Sequence, residues 1–172
     1  MQVGKPVGGI DPPRLSLRQV AQEKRQRQFR LVQYEMVRGG DLLTGGLKQR
    51  PAGHDPLAGI DGLDATAGLA NVRGNVETHH RLLRLFASMH RDDVERWRRL
   101  RESGEREAAR RLAHSLKGSA GVLGITGVQQ HAAALDAAMR ADASDADQDA
   151  LASRLESELA RVLDRVTAAL GG

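Results

Sequence analysis

The position of the prolines constrains the fold of this chain more than any other feature of its sequence. All five prolines lie within the first 56 residues, and none occurs from Leu57 onward. Because proline breaks helix interiors, only the later region can form long uninterrupted helices. The proline- and glycine-rich composition of residues 1–56 is typical of a linker or a loosely ordered extension. We therefore predict a folded domain over residues 57–172.

The charge balance of the chain also changes near residue 56. Residues 1–55 contain ten Lys/Arg and five Asp/Glu, whereas residues 56–172 contain sixteen and seventeen. The sequence pI of about 10.1 therefore reflects the N-terminal extension. Within the extension, residues 17–37 could form a basic helix. That helix could couple this domain to the rest of a longer parent protein, or it could attract nucleic acid. The favoured interpretation is a solvated charged segment.

Composition excludes several other classes of protein. Hydrophobic residues make up 40% of the chain and charged residues 28%, which suits a globular domain with a buried core. The absence of cysteine excludes disulfides and thiolate metal sites. No apolar run approaches the roughly 18 residues needed to span a bilayer, and the N-terminus lacks an apolar signal core. We expect a cytoplasmic protein that does not insert into membranes.

Periodic apolar residues predict four long amphipathic helices and one short helix before them. Apolar side chains recur three or four positions apart in each long segment, except that Asp93 interrupts the first stripe. The predicted segments run from Asp64 to Ala70, from about Val76 to Glu102, from the "SGE" break at 103–105 to Leu123, from Thr126 to Met139, and from about Asp147 to Leu170.

Local signals mark several of the predicted helix ends. Asn75 is a suitable N-cap for the first long helix, and Thr126 with Gln129 forms a capping box for the third. Gly124 and Gly171 are suitable stops. Four long amphipathic helices with short connections bury their stripes most simply in an antiparallel bundle. The sequence therefore predicts an all-α fold, an antiparallel four-helix bundle with a short N-terminal helix, preceded by the basic extension.

The stretch "AHSLKGSAG" at 113–121 places two glycines inside a predicted helix, where each costs about 1 kcal/mol relative to alanine. On a helical wheel, Gly118 and Gly121 share the solvent side with His114 and Lys117. The core face is formed by Ala109, Leu112, Ala113, Leu116, Ala120 and Leu123. A surface stripped of side chains around an exposed imidazole allows another protein to approach it closely.

Lys117 adds a second indication of function. It is the only lysine in residues 56–172, where there are fifteen arginines. Lysine is a compact, mobile point charge suited to meeting a phosphate group. A neutral imidazole such as that of His114 is a competent nucleophile.

At these residues the sequence resembles the histidine phosphotransfer (Hpt) domain of bacterial multistep phosphorelays. The family pattern is a histidine, then Lys-Gly three and four positions later, then small residues and a further glycine. In this sequence the pattern reads His114, Lys117-Gly118, Ser119-Ala120-Gly121 and Gly124.

The flanking sequence extends the resemblance to about residues 57–170. "ITGVQQHAAALD" resembles the helix that follows the motif, and "GIDGLDATAGLANVRGNVETHHRLLRLF" resembles the entry to the family's domain. Residues 1–55 have no counterpart in the domain. Asp136 stands where a glutamate or glutamine is more usual, which leaves open whether this side chain orients the imidazole.

The resemblance implies that His114 accepts a phosphoryl group on Nε2 from a receiver-domain aspartyl phosphate and passes it to another receiver. It implies that Lys117 stabilises the phosphoryl charge and that Ser115, Gly118 and Gly121 help to dock the partner. The receiver would supply Mg²⁺, and this chain would bind no metal or other cofactor itself. Such a domain is a phosphocarrier, not an enzyme. The sequence contains no kinase ATP-binding motif. The linker-like N-terminus is compatible with a free-standing chain and with the C-terminal part of a hybrid sensor kinase.

Other readings of the sequence predict different functions. The remaining histidines lack the spacing of a metal site, and His79 and His80 read as surface residues on different faces. "RWRRLR" at 96–101 resembles a nucleic-acid patch, but nearby carboxylates dilute its charge and favour a solvated helix face. The alternatives are therefore an all-helical adaptor, a nucleic-acid-associated protein that uses residues 14–30, or an Hpt-like domain that only docks receivers. We expect no DNA binding.

Overall fold

A computed structural model describes residues 56–171 of the chain, and those residues form helices joined by short connections. The basic helix predicted at residues 17–37 lies outside the described residues, and the domain boundary near residue 56 stays a prediction. The helices are α1 (Ala65–Asn71), α2 (Val76–His90), α3 (Asp93–Glu102), α4 (Arg106–Leu123), α5 (Thr126–Arg140) and α6 (Asp145–Leu170).

The helices pack as an antiparallel four-helix bundle, as the sequence predicts. Helices α2 and α3 lie one after the other and together form one arm, since both contact α4 and α6. Helix α5 packs between α4 and α6 and completes the bundle. Ion pairs show the antiparallel direction: Arg91, directly after α2, meets Asp164 of α6, while Arg98 of α3 meets Glu156 earlier in α6.

The predicted apolar stripes form the core. Every residue assigned to the core face of α4 is buried, and Val128, Ala132 and Leu135 of α5 are buried opposite them. Phe86 and Trp97 are buried in the arm formed by α2 and α3. Trp97 donates its indole N–H to the sulfur of Met139 at 3.1 Å, which satisfies its one polar atom.

The first long helix is divided, and the prediction of one helix from Val76 to Glu102 is wrong. Helix α2 ends at His90, and α3 begins at Asp93. The interruption occurs where Asp93 breaks the apolar stripe. Asp93 is buried, and its carboxylate accepts a 2.6 Å hydrogen bond from Nδ1 of His90. With the helix interrupted here, both this pair and the apolar Val94 and Trp97 after it are buried.

The helix caps follow the local prediction at some ends and not at others. Asn75 caps α2 through its side chain, as predicted. The capping box at Thr126 does not form, because Ile125 is the N-cap of α5 and makes no side-chain cap. Ile125 is fully buried, so its packing decides where the helix begins. Helix α6 begins at Asp145, two residues before the prediction, because Ser144 caps it.

Gly124 both ends α4 and admits the N-terminal segment to the bundle. Its φ is +76°, which disfavours other residues, and the following amide of Ile125 bonds back to Ala120 at 2.9 Å. A Cβ at Gly124 would also collide with the backbone oxygen of Asp64. The Asp64 amide donates to the Gly124 carbonyl at 2.7 Å. This contact ties residues 57–64 to the end of α4.

We predict that a chain lacking residues 1–55 folds cooperatively into a helical domain. The reason is that the buried residues of the described region form a continuous core from Leu57 to Leu170. Circular dichroism during thermal unfolding would test this, with the full-length chain as the control. A truncated chain without a cooperative transition would show that the extension is part of the folded domain.

None of the helices within residues 56–171 is both long enough and apolar enough to cross a membrane.

Candidate functional site

His114 lies on the solvent side of α4, opposite the residues that the helix buries. Its side chain is 60% exposed. The helix is anchored on its other face by Ala113 and Leu116, which flank the histidine in sequence and are both buried. A rigid, core-anchored helix therefore presents an accessible imidazole.

The imidazole is held by a carboxylate from the neighbouring helix. Nδ1 of His114 lies 3.2 Å from Oδ2 of Asp136 on α5, and the Asp136 side chain is completely buried. A carboxylate oxygen can only accept a hydrogen bond, so Nδ1 is the donor in this contact. The same tautomer leaves the lone pair of Nε2 free.

Lys117 lies one turn after His114 and reaches the same carboxylate. Its ammonium is 3.2 Å from Oδ2 of Asp136 and 3.4 Å from Nδ1 of His114. An Nδ1 that donates to Asp136 cannot also accept from the ammonium. The lysine is therefore bound to Asp136 and stands close to the ring without competing for it.

Two arginines complete the environment of Asp136. Arg140, one turn later on α5, donates to Oδ2 at 3.1 Å. Arg110, one turn before His114, places Nη1 3.6 Å from Oδ1. Neither arginine was predicted from the sequence to be part of the site. The available sequence signal was spacing, since Arg140 lies four positions after Asp136 and Arg110 lies four positions before His114. Interpreting that signal required knowing that α4 packs against α5.

The cations keep the buried carboxyl ionised. Burial raises the pKa of Asp136, but the hydrogen bonds from His114 and Lys117, together with the positive charges of Arg140 and Lys117, outweigh that effect. The net result is a pKa below the ordinary value for aspartate. Asp136 is therefore a carboxylate at neutral pH, as its hydrogen bond from Nδ1 requires.

The two glycines of the motif differ in their surroundings. Gly118 is exposed, and a Cβ added there would meet nothing within 4 Å. Gly121 is half-buried, and a Cβ there would lie 2.7 Å from Nε2 of Gln129 on α5. Gly118 therefore lies on open surface, as predicted, whereas the surface at Gly121 is partly covered by the exposed side chain of Gln129. Ser115, next to His114, is exposed.

The other histidines in the described residues lie elsewhere. The prediction that His79 is a surface residue is wrong, because it is buried and its Nε2 donates to the carbonyl of Leu123 at 3.0 Å. This bond secures the end of α4. His90 is buried in its pair with Asp93. Within residues 56–171, no three side chains of the metal-binding types gather into one cluster.

Comparison with known protein families agrees with the site geometry. The Hpt domain model matches residues 81–168, slightly over half of the 172 residues, and the match includes His114, Lys117 and Asp136. The chain belongs to the Hpt domain family. It is a histidine phosphotransfer domain of phosphorelays, a phosphocarrier and not a catalytic domain, and Hpt domains interact with receiver domains. The comparisons with curated proteins and with solved structures gave no match.

Proposed function

We propose that Nε2 of His114 is the phosphoryl acceptor of this Hpt domain. The observation that carries the proposal is the exposed imidazole whose Nδ1 donates to the buried carboxylate of Asp136. That hydrogen bond directs the free lone pair to Nε2, the nitrogen that faces away from the carboxylate. Asp136 is then a positioning residue, although it is shorter than the residue more usual in the family.

The proposed reaction is an in-line transfer from a receiver-domain aspartyl phosphate. The Nε2 lone pair forms the N–P bond while the O–P bond breaks, and the electron pair of that bond leaves with the receiver's carboxylate. The proton on Nδ1 remains, so the phosphorylated ring carries a positive charge. Asp136 stabilises this charge across the 3.2 Å contact. The reverse sequence delivers the phosphoryl group to a second receiver.

Lys117 supplies the positive charge that faces the phosphoryl oxygens. Its ammonium stands within 3.4 Å of the imidazole and has a flexible stem, so a rotation about that stem moves it from Asp136 toward a group on Nε2. Mg²⁺ would be held by the receiver and would neutralise charge on the donor side. This chain's contribution is the nucleophile, its orientation and one mobile cation.

The receiver approaches across the surface that includes Ser115 and Gly118. An open position at Gly118 allows its backbone to come close to α4. We propose a cytoplasmic domain that acts with a response regulator, a hybrid sensor kinase or both. A free-standing chain and a C-terminal piece of such a kinase are both compatible with the site.

Incubation with a phosphorylated receiver tests the proposed function. We expect a single phosphohistidine, recognised by a bond that is labile in acid and stable in alkali. Peptide mapping would locate the label. An unlabelled chain that binds nucleic acid with a steep salt dependence would instead support the alternative based on residues 14–30.

We predict that Lys117→Ala slows transfer or shortens the life of the phosphohistidine. The loss of a charge facing the phosphoryl oxygens should cost about 1–3 kcal/mol, the range for hydrogen bonds to charged groups. Rapid-quench transfer and hydrolysis measurements would quantify both rates. Arg154→Ala, which removes an exposed positive charge from α6, is the control. Rates equal to those of the wild type would show that Lys117 has no part in transfer.

A further inference from the structure

The hydrogen bonds to Asp136 are distributed unequally between its two carboxylate oxygens. Oδ2 lies within hydrogen-bond distance of three donors, from His114, Lys117 and Arg140. Oδ1 is buried and has no hydrogen-bond partner in the described part of the chain. A buried carboxylate oxygen without a donor is costly, so a nearby donor able to move onto it would be stabilised there.

Arg110 is the cation that faces this oxygen. Its Nη1 lies 3.6 Å from Oδ1, beyond the usual 2.7–2.9 Å range of charge-assisted hydrogen bonds by roughly 0.7–0.9 Å. Glu107 holds the guanidinium at that distance. Nε and Nη2 of Arg110 donate to the two carboxylate oxygens of Glu107 at 3.0 and 2.8 Å. The Glu107 side chain is 59% exposed, so solvent weakens its hold on the arginine.

We propose that Arg110 is a positioning residue that moves onto Oδ1 of Asp136 when Lys117 leaves the carboxylate for the phosphoryl group. The proposal rests on the proposed function, which gives Lys117 a second partner. Loss of Lys117 removes one of the cations that compensate the buried carboxylate. Closure of Arg110 restores that charge on the empty oxygen, so Asp136 keeps its hold on Nδ1 of His114. Arg140 remains on Oδ2 throughout.

The first experiment compares two adjacent arginines. Arg110 and Arg111 both lie within reach of Glu107, at 2.8 and 3.6 Å, but only Arg110 faces Asp136. We would measure labelling of Arg110→Gln and Arg111→Gln by phosphoramidate, a small phosphoryl donor that needs no docking surface. Arg110→Gln should label about three- to tenfold more slowly than the wild type, and Arg111→Gln within about twofold of it. Equal losses in both variants, or no loss in Arg110→Gln, would overturn the proposal.

The second experiment imitates the departure of Lys117 in the unphosphorylated chain. ¹⁵N spectra of His114 report the ratio of the Nδ1–H to the Nε2–H tautomer. Arg110→Gln should change this ratio little when Lys117 is present. In a Lys117→Ala background it should lower the ratio about threefold or more, because Arg110 is then needed on Oδ1. Equal effects in the two backgrounds would overturn the proposal.

The two readouts separate the possible failures. If phosphoramidate cannot label the wild-type chain, the proposed function is contradicted. A role of Arg110 in phosphotransfer is then contradicted as well. The tautomer ratio still decides whether Arg110 and Lys117 compensate for each other at Asp136. A labelled wild type with no dependence on Arg110 contradicts only the inference about Arg110.

Discussion

His114→Gln is expected to reduce phosphoryl acceptance to background without unfolding the domain. The imidazole is 60% exposed, and the buried face of α4 is formed by other residues, so its replacement removes little packing. Glutamine has no nitrogen nucleophile comparable with imidazole, and its amide cannot carry the phosphoryl group. Labelling by a phosphorylated receiver and by phosphoramidate should both be lost.

The controls for this experiment are histidines that the structure leaves accessible. His80 and His131 are half-buried surface positions, and their glutamine variants should accept phosphate at the rate of the wild type. His79 is unsuitable as a control because it is buried and bonded to the Leu123 carbonyl at the end of α4. If His114→Gln is labelled as well as the wild type, the acceptor is another residue and the proposed site is wrong.

Gly118→Gln is expected to separate stability from phosphotransfer. Nothing lies within 4 Å of a Cβ at Gly118, and glutamine favours helix more than glycine. The free energy of unfolding should therefore stay the same or rise by up to about 1 kcal/mol, which thermal unfolding would measure. The same side chain would stand one turn from His114, on the surface that we propose a receiver approaches. Transfer from a phosphorylated receiver should fall sharply.

A small phosphoryl donor distinguishes a docking defect from a loss of reactivity at His114. Phosphoramidate does not dock as a receiver does, so it should label Gly118→Gln at nearly the wild-type rate. Ala160→Gln introduces the same side chain at an exposed position of α6 and should leave both stability and receiver transfer unchanged. A destabilised Gly118→Gln, or a stable one with full receiver transfer, would contradict the proposed docking role.

Local sequence signals were sufficient for several features that depend on residues within one or two helical turns. The stripe from Ala109 to Leu123 determines which face of α4 is buried, and therefore which face carries His114 and Gly118. Asn75 and Gly124 end their helices as predicted, because an N-cap and a left-handed C-terminal glycine act on adjacent backbone groups. The exposure of His114 followed from the same periodicity, whereas its role as the candidate nucleophile was implied by the motif and the resemblance to the Hpt family.

Most of the features that were not predicted from the sequence depend on contacts between distant segments. His79 is buried because the end of α4, 44 residues away, offers a carbonyl to it. The predicted capping box gives way because Ile125 is buried in the bundle and determines where α5 begins. The first long helix divides where His90 and Asp93 form a buried pair that a continuous apolar stripe would not accommodate.

The sequence by itself determined most of the helices, their buried faces and the solvent-facing position of the candidate nucleophile, since these follow from side-chain periodicity along one chain segment. Only the tertiary structure decided the electrostatics of the site. Asp136 is 22 positions after His114, and its oxygens meet Lys117 and Arg110 only because α4 and α5 pack antiparallel with a particular register. Arg140 reaches the same carboxylate along α5 itself. Helical periodicity specifies a face but not the register between two helices, so the charges around Asp136 became visible only in the folded chain.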